Sequence, residues 1–230
     1  VKRITKFESF ITENRESKKP KSVYFTKRIP ITKLDLEHIC QNLNLPFEKV
    51  KFLSAGSFGN AYKVGDKVLK ISLDKTEAKS VYELLQKKQN ESVIKYYDVS
   101  RYKMDKSFVY VIVMDYATPL VKYITKLKNE DITDFLEYCT EIFFSNWGKI
   151  ESEEDFIERI QQEYDFDVIP KLASDIAFKL WTLYDNLKGE FKTFPDIHIY
   201  NLGIKEDGEL VMFDYNSLEV VRKFDQPRIL

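Results

Sequence analysis

Leu53-Ser54-Ala55-Gly56-Ser57-Phe58-Gly59-Asn60-Ala61-Tyr62-Lys63 runs through Val64-Gly65-Asp66 into Lys67-Val68-Leu69-Lys70-Ile71, and this stretch decides the fold. Val50 to Leu53, Ala61 to Val64 and Lys67 to Ile71 are short runs separated by glycine-containing turns, and they read as three strands. Gly65-Asp66 is a tight hairpin signal. Gly56 and Gly59 stand three apart between strands, which leaves backbone N–H groups to face phosphate oxygens. Ser54, Ala55 and Ser57 are small enough for close approach. An ordinary glycine hairpin has the same composition, so the loop carries meaning only in company.

The company begins with Lys70. A lysine between apolar neighbours on a strand has its head carried onto one face of the sheet, where a solvated lysine is the usual case. The next segment, 75–89, reads as a helix. At about 100° per residue with Val81 as zero, Leu84 falls at about −60° and Leu85 at about +40°. Glu77 falls at about −40°, inside that apolar stripe, and Glu83 at about 200°, on the opposite side. Glu77 is therefore the inward carboxylate, and an inward carboxylate needs a cation. Lys70 is the nearest candidate.

Further out, Val93 to Val99 and Phe108 to Met114 read as two more strands. After Thr118-Pro119 the chain turns helical, over 120–128, 131–146, 153–164 and 170–188. Two short strands follow, Leu202 to Ile204 and Leu210 to Phe213, joined by Glu206-Asp207-Gly208. Upstream, Thr32 or Asp35 starts a short helix with Leu36, Ile39 and Leu43 on one face, and Pro46 stops it. The polar opening, through Lys18-Lys19-Pro20-Lys21, allows an amphipathic turn or two from Ile4 to Ile11. Strands with one helix, then helices with one late hairpin, predict an α+β class with two unlike lobes meeting at a cleft. The expected divisions are an extension with a short helix over 1–46, a sheet lobe over 47–117 and a helical lobe over 118–230.

Composition narrows the partners. The 230 residues are 43% hydrophobic and 32% charged, enough apolar content to bury a core. The net charge of −1 excludes bulk electrostatic binding of nucleic acid. No apolar run approaches the length of a membrane span, and no signal-type leader is seen, so a cytoplasmic chain with no membrane partner is expected. Cys40 and Cys139 have no metal spacing and read as reduced thiols. Residues 129–167 carry 2 basic and 13 acidic side chains, a balance of −11. A solvated acidic helix face is the simpler reading; attraction of a basic peptide, protein or small cation is the other.

A last constellation is Asp196-Ile197-His198-Ile199-Tyr200-Asn201, with Asp214 thirteen residues after Asn201. The hairpin between them is expected to bring Asn201 and Asp214 side by side. An amide oxygen and a carboxylate form a hard oxygen pair suited to Mg²⁺.

Together these parts resemble the protein-kinase-like superfamily, most clearly over residues 50–118 and 170–216. Leu53 to Lys63 is similar to its glycine-rich loop, so Gly56, Ser57, Phe58 and Gly59 would cover the triphosphate of ATP. Lys70 matches the strand lysine on the α- and β-phosphates, and Glu77 the helix glutamate that orients it. Val111 to Ala117 is similar to the strand entering the hinge. Met114 would guard the back pocket, while the carbonyl of Asp115 and the N–H of Ala117 would hold the adenine. Asp196 matches the catalytic-loop aspartate, and Asn201 and Asp214 the Mg²⁺ ligands. The resemblance implies an ATP- and Mg²⁺-dependent kinase, with protein Ser/Thr hydroxyls as leading acceptors.

The sequence departs from the family in several places. Ser54 stands where the first loop glycine is expected. Phe194-Pro195-Asp196 replaces His-Arg-Asp, and Asp214-Tyr215-Asn216 lacks the glycine. His198 takes the place of a lysine on the γ-phosphate, and this form is closer to aminoglycoside and choline phosphotransferases. Sixteen residues follow Asp214, too few for a full activation segment, so a reduced second lobe is expected. A small-molecule phosphotransferase, a nucleotidyl transferase and a catalytically silent nucleotide-binding scaffold therefore stay open. The opening stretch also resembles small proteins of large tailed phages, which implies a host target, such as a basic protein, in the bacterial cytoplasm.

Overall fold

The structure is a computed structural model and describes residues 29, 31–55, 59–104, 108–125, 130–165, 169–189, 197–213 and 229–230. The stretches 4–11 and 18–21 lie outside the described residues, as do Gly56, Ser57, Phe58, Asp196 and Asp214.

Helix α1 spans Lys33–Asn42. Thr32 and Asp35 start it together: Asp35 N–H donates to the Thr32 hydroxyl at 3.1 Å, and Thr32 N–H donates to the Asp35 carboxylate at 2.9 Å. The expectation that Pro46 stops this helix is corrected. It ends at Asn42, and Asn44 at φ 54 has already turned the chain in the left-handed region that asparagine tolerates.

The main sheet contains β1 (Val50–Ala55), β2 (Gly59–Val64), β3 (Lys67–Ser72), β4 (Tyr96–Lys103) and β5 (Phe108–Asp115). All its pairs are antiparallel, in the order β1-β2-β3-β5-β4. Gly65, at φ 66, makes the β2–β3 turn. Period-two alternation sorts the β5 side chains. Val109, Val111 and Val113 pack with Leu69, Ile71 and the Ile39 and Cys40 side chains of α1. Tyr110, Ile112 and Met114 join the cluster on the opposite face.

Helix α2, Lys75–Leu84, covers that opposite face with Ala78, Val81 and Leu84 buried. It ends earlier than its periodicity suggests. Gln86 and Lys87 donate to the carbonyls of Glu83 and Leu84, the tighter spacing of a terminating turn. The strand expected over 93–99 is also displaced. Val93 and Ile94 lie outside the main sheet, and β4 begins at Tyr96.

Downstream come β6 (Thr118–Pro119), α3 (Leu120–Thr125), α4 (Glu130–Ser145), α5 (Glu153–Gln161) and α6 (Lys171–Lys188). A 3-10 turn, Ile199–Asn201, leads into β7 (Leu202–Ile204) and β8 (Leu210–Met212). Strands β6, β7 and β8 form a second antiparallel sheet. Met212 N–H donates to the Ser92 carbonyl, and Ile94 N–H donates to the Met212 carbonyl, both at 2.8 Å. That explains the displaced strand: an apolar run reads alike whichever sheet takes it. One apolar cluster extends from α2 through α3 to α6 and into β8. The α+β class is thus observed. Leu230 N–H donates to the Arg101 carbonyl at 2.7 Å, on the open edge of β4. Among the described residues no helix is long and apolar enough to cross a membrane.

Phe143 is fully buried, stacked on Phe156 at 4.6 Å and on Tyr184 at 4.5 Å. Phe143→Ala is expected to lower stability by about 3–5 kcal/mol, read by urea unfolding. Leu34→Ala, at a side chain 75% exposed, should change it by less than about 0.5 kcal/mol.

Candidate functional site

Lys70 sits on β3, and its strand neighbours Leu69 and Ile71 are buried against α1. Alternation therefore turns Lys70 to the opposite face, where α2 begins. Asp74 caps that helix, accepting from Thr76 N–H at 2.7 Å and from Glu77 N–H at 3.3 Å. Glu77 is placed in the first turn and is 4% exposed. Its Oε1 lies 2.5 Å from the Lys70 ammonium, and its Oε2 accepts from the Ser72 hydroxyl at 3.1 Å. Both carboxylate oxygens are thus satisfied, as a buried charge requires. Glu83 plays no part in this pair.

The pair opens on a cavity of about 700 Å³. Above, its wall includes Leu53, Ser54, Gly59, Val68 and Lys70. A Cβ on Gly59 would run into the carbonyl oxygen of Ile71, so β2 and β3 can approach this closely only with glycine there. One side is formed by Met114, Asp115, Tyr116 and Ala117. Asp115 N–H donates to the Lys95 carbonyl at 2.9 Å and Tyr116 N–H to the Asp66 carbonyl at 3.1 Å. The N–H of Ala117 has no hydrogen-bond partner among the described residues. Lys67 bonds the Asp115 carboxylate at 2.7 Å. Burial works against the Lys67 charge, but bonds with Asp115, Tyr97 and Asp66 outweigh it and hold its pKa above the ordinary lysine value.

The floor carries His198, Tyr200, Asn201 and Phe213. Asn201 N–H donates to the His198 carbonyl at 2.8 Å, closing the 3-10 turn. Phe213 N–H donates to the Asn201 carbonyl at 2.9 Å, continuing the Leu202–Met212 register one step. The expected hairpin is therefore present up to Phe213. The Tyr200 hydroxyl donates to Glu137 of α4 at 3.3 Å. Burial raises the Glu137 pKa, the Tyr200 bond opposes that, and the nearby Asp134 charge adds to it.

Lys70 and Glu77 are therefore paired, and Gly59, Met114, Asp115, Ala117, His198 and Asn201 line the same cavity. The remaining expected site residues, Gly56, Ser57, Phe58, Asp196 and Asp214, fall outside the described residues. Ser72 and Tyr200 were missed by sequence reasoning. Ser72 carried a signal, since it lies two residues beyond Lys70 and so on its face; Tyr200 carried none. Asn60 also lines the cavity, and its side-chain nitrogen donates to the Tyr62 hydroxyl at 3.5 Å. A second cavity, about 410 Å³, opens beside α3, α6 and the β7–β8 turn. Its Lys179 ammonium bonds the Gly208 carbonyl at 2.5 Å, and it gathers none of the residues above. No protein-family model matches the chain, and no curated protein matches it.

Two measurements test this geometry. Glu77→Ala strands the Lys70 ammonium and should cost about 3 kcal/mol in urea unfolding, while adding Lys70→Met should recover most of it, because no charge remains buried. Glu137, with a folded pKa above the ordinary 4.5, favours the folded state most when protonated, and that contribution is lost as pH rises through the raised value. Glu137→Gln should therefore be more stable than the parent at about pH 7, with the difference closing toward about pH 4.

Proposed function

We propose that the chain is an ATP- and Mg²⁺-dependent phosphotransferase that moves the γ-phosphoryl group of ATP to a hydroxyl. The observation that carries this reading is the Lys70–Glu77 pair, opening on a cavity that also holds Met114 to Ala117 and Asn201. Such transfer asks for alignment and charge compensation rather than covalent work by the protein. Lys70, oriented by Glu77, would contact the phosphates from the sheet side. The carbonyl of Asp115 and the N–H of Ala117 would receive the base, and the Ala117 N–H has no competing partner among the described residues. Asp196 would orient the acceptor hydroxyl and take its proton. His198 on the floor would reach the γ-phosphate.

The donors on the chain fit a hard cation. Asn201 supplies an amide oxygen on the cavity floor, and Phe213 continues in sequence into Asp214, a carboxylate. Asn201 and Asp214 would hold Mg²⁺, which supplies neutralisation of phosphate charge when bound.

Protein Ser/Thr is the first acceptor class proposed, on the likeness of the sheet and hinge sequence to protein kinases. A small cationic alcohol is the second reading, and the Tyr200–Glu137 bond favours it, because it brings the acidic helix α4 onto the loop that precedes Asn201. Incubation with γ-labelled ATP and a cell lysate separates them by label in protein against label in the small-molecule fraction. With α-labelled ATP, label in the acceptor would instead indicate nucleotidyl transfer. ATP binding with no transfer to any acceptor would indicate a scaffold.

Asp214→Ala is expected to abolish transfer. Asp196→Asn should lower turnover by roughly 10²–10⁴ while ATP binding persists. Undiminished transfer by either variant removes that residue's role.

A further inference from the structure

We propose that the β2–β3 turn, from Lys63 to Lys67, is a clamp that positions the main chain of Asp115 and Tyr116 for recognition of the nucleotide base. The inference rests on the nucleotide reading above. Three contacts from this one turn reach two consecutive residues. The Lys67 ammonium lies 2.7 Å from Asp115 Oδ1. The Asp66 carbonyl accepts from Tyr116 N–H at 3.1 Å. The Lys63 ammonium stands over the Tyr116 ring, 3.7 Å from its centre.

A second grip comes from the other side. The Tyr97 hydroxyl donates to the same Asp115 oxygen at 2.9 Å, and the Lys67 ammonium lies 4.0 Å from the centre of the Tyr97 ring. The Lys95 carbonyl takes the Asp115 N–H at 2.9 Å. Asp115 and Tyr116 line the cavity, whereas Lys63, Lys67 and Tyr97 are not part of its lining. The gripping side chains therefore act through the main chain they hold; they are positioning residues.

The register explains why the turn can do this. Lys67 faces Asp115 across the β3–β5 pair, so the side chain that closes the hairpin is also the one beside the strand's last residue. Lys70 lies three residues along the same strand, and Gly59 begins the strand before it. One hairpin thus spaces the base end of the cavity from its phosphate end. Base recognition through main-chain groups needs those groups held to a fraction of an ångström, since small misplacements are costly. Releasing Asp115 should loosen the base end and spare the phosphate end, because Lys70 keeps its own anchor in Glu77.

The test compares ATP with inorganic tripolyphosphate, which has phosphates and no base. Both are titrated with Mg²⁺ into the full chain by calorimetry. Lys67→Met is expected to weaken ATP about tenfold, the scale of a hydrogen bond to a charged group, and to leave tripolyphosphate unchanged. Lys67→Arg, which keeps the cation, should restore most of the ATP affinity. Tyr97→Phe removes one hydroxyl from a partly exposed ring and should weaken ATP alone, by less. If Lys67→Met does not fold, Tyr97→Phe carries the same comparison. Unchanged ATP affinity, or equal losses for the two ligands, overturns the clamp and leaves these contacts a purely structural role. An unaltered chain that binds tripolyphosphate as well as ATP overturns base recognition at this end. An unaltered chain that binds neither overturns the nucleotide reading, and the clamp with it.

Discussion

A carboxylate as deeply buried as that of Glu77 needs a cation, and Lys70 supplies one at 2.5 Å. The constraint reaches well beyond two side chains. It requires the first turn of α2 to face β3 at one register, because sliding the helix by a turn moves its residues by about 5.4 Å and separates the charges. Ser72 and Asp74 enforce the same placement by other means. The Ser72 hydroxyl donates to Glu77 and accepts from Asp74 N–H at 3.0 Å, while Asp74 caps the helix. Val81 and Leu84 bury their apolar surface in this arrangement. Breaking such a pair costs about 3–5 kcal/mol, comparable to much of a domain's net stability, so alternative packings of α2 are heavily disfavoured.

The floor of the cavity is tied to this wall through the segment that follows α2. Ser92 and Ile94 exchange main-chain bonds with Met212, one residue before Phe213. Ser92 N–H donates to the Asn90 side chain at 2.8 Å, and the Asn90 amide donates to the Asn186 carbonyl at 3.2 Å. Asn186 in turn donates to the Ser92 hydroxyl at 3.0 Å. This closed set of bonds joins the chain leaving α2 to the last turn of α6 and to β8. The position of Asn201 relative to Lys70 therefore rests on short, mostly half-buried polar contacts rather than on the longer loops around them. Such contacts are individually worth about 1 kcal/mol, and their value here is direction rather than strength.

What could be read from the sequence follows from which physical signals are local. The choice of Glu77 over Glu83 was legible because helical periodicity and the cost of burying a charge point to the same residue. Strands β1, β2 and β3 were legible from apolar runs punctuated by glycine, β5 from its long apolar run, and α1 from its cap residues. The start of β4 was not, because Val93 and Ile94 are apolar for the sake of β8, more than a hundred residues away. Helix α2 was overextended because Leu85 continues the apolar stripe, whereas the backbone has already tightened after Leu84. The grip on Asp115 and Tyr116 left no trace either: lysines flanking a Gly-Asp turn usually mark exposed polar ends, and only the β3–β5 register gives them partners. Of the candidate site, the Lys70–Glu77 pair was legible through periodicity and charge burial, and Met114, Asp115 and Ala117, expected from the resemblance, line the same cavity. Tyr200 was not, since its partner is set by tertiary packing.

The acidic stretch divides, within helix α4, into exposed charges and one carboxylate that touches the cavity floor. On α4 the side chains of Phe135, Leu136, Cys139, Ile142 and Phe143 are buried, and Asp131 and Glu141 are exposed. Most of the negative charge is therefore a solvated face, screened within about 8 Å at physiological salt. Glu137 differs, being partly buried and bonded to Tyr200 on the cavity floor. Its field acts where solvent is thinner and screening weaker. The exposed acidic charges act only at long range, whereas Glu137 acts directly on Tyr200, which lines the cavity. The long-range effect fades with salt and the Tyr200–Glu137 bond largely survives it, because only the bond is made at contact distance.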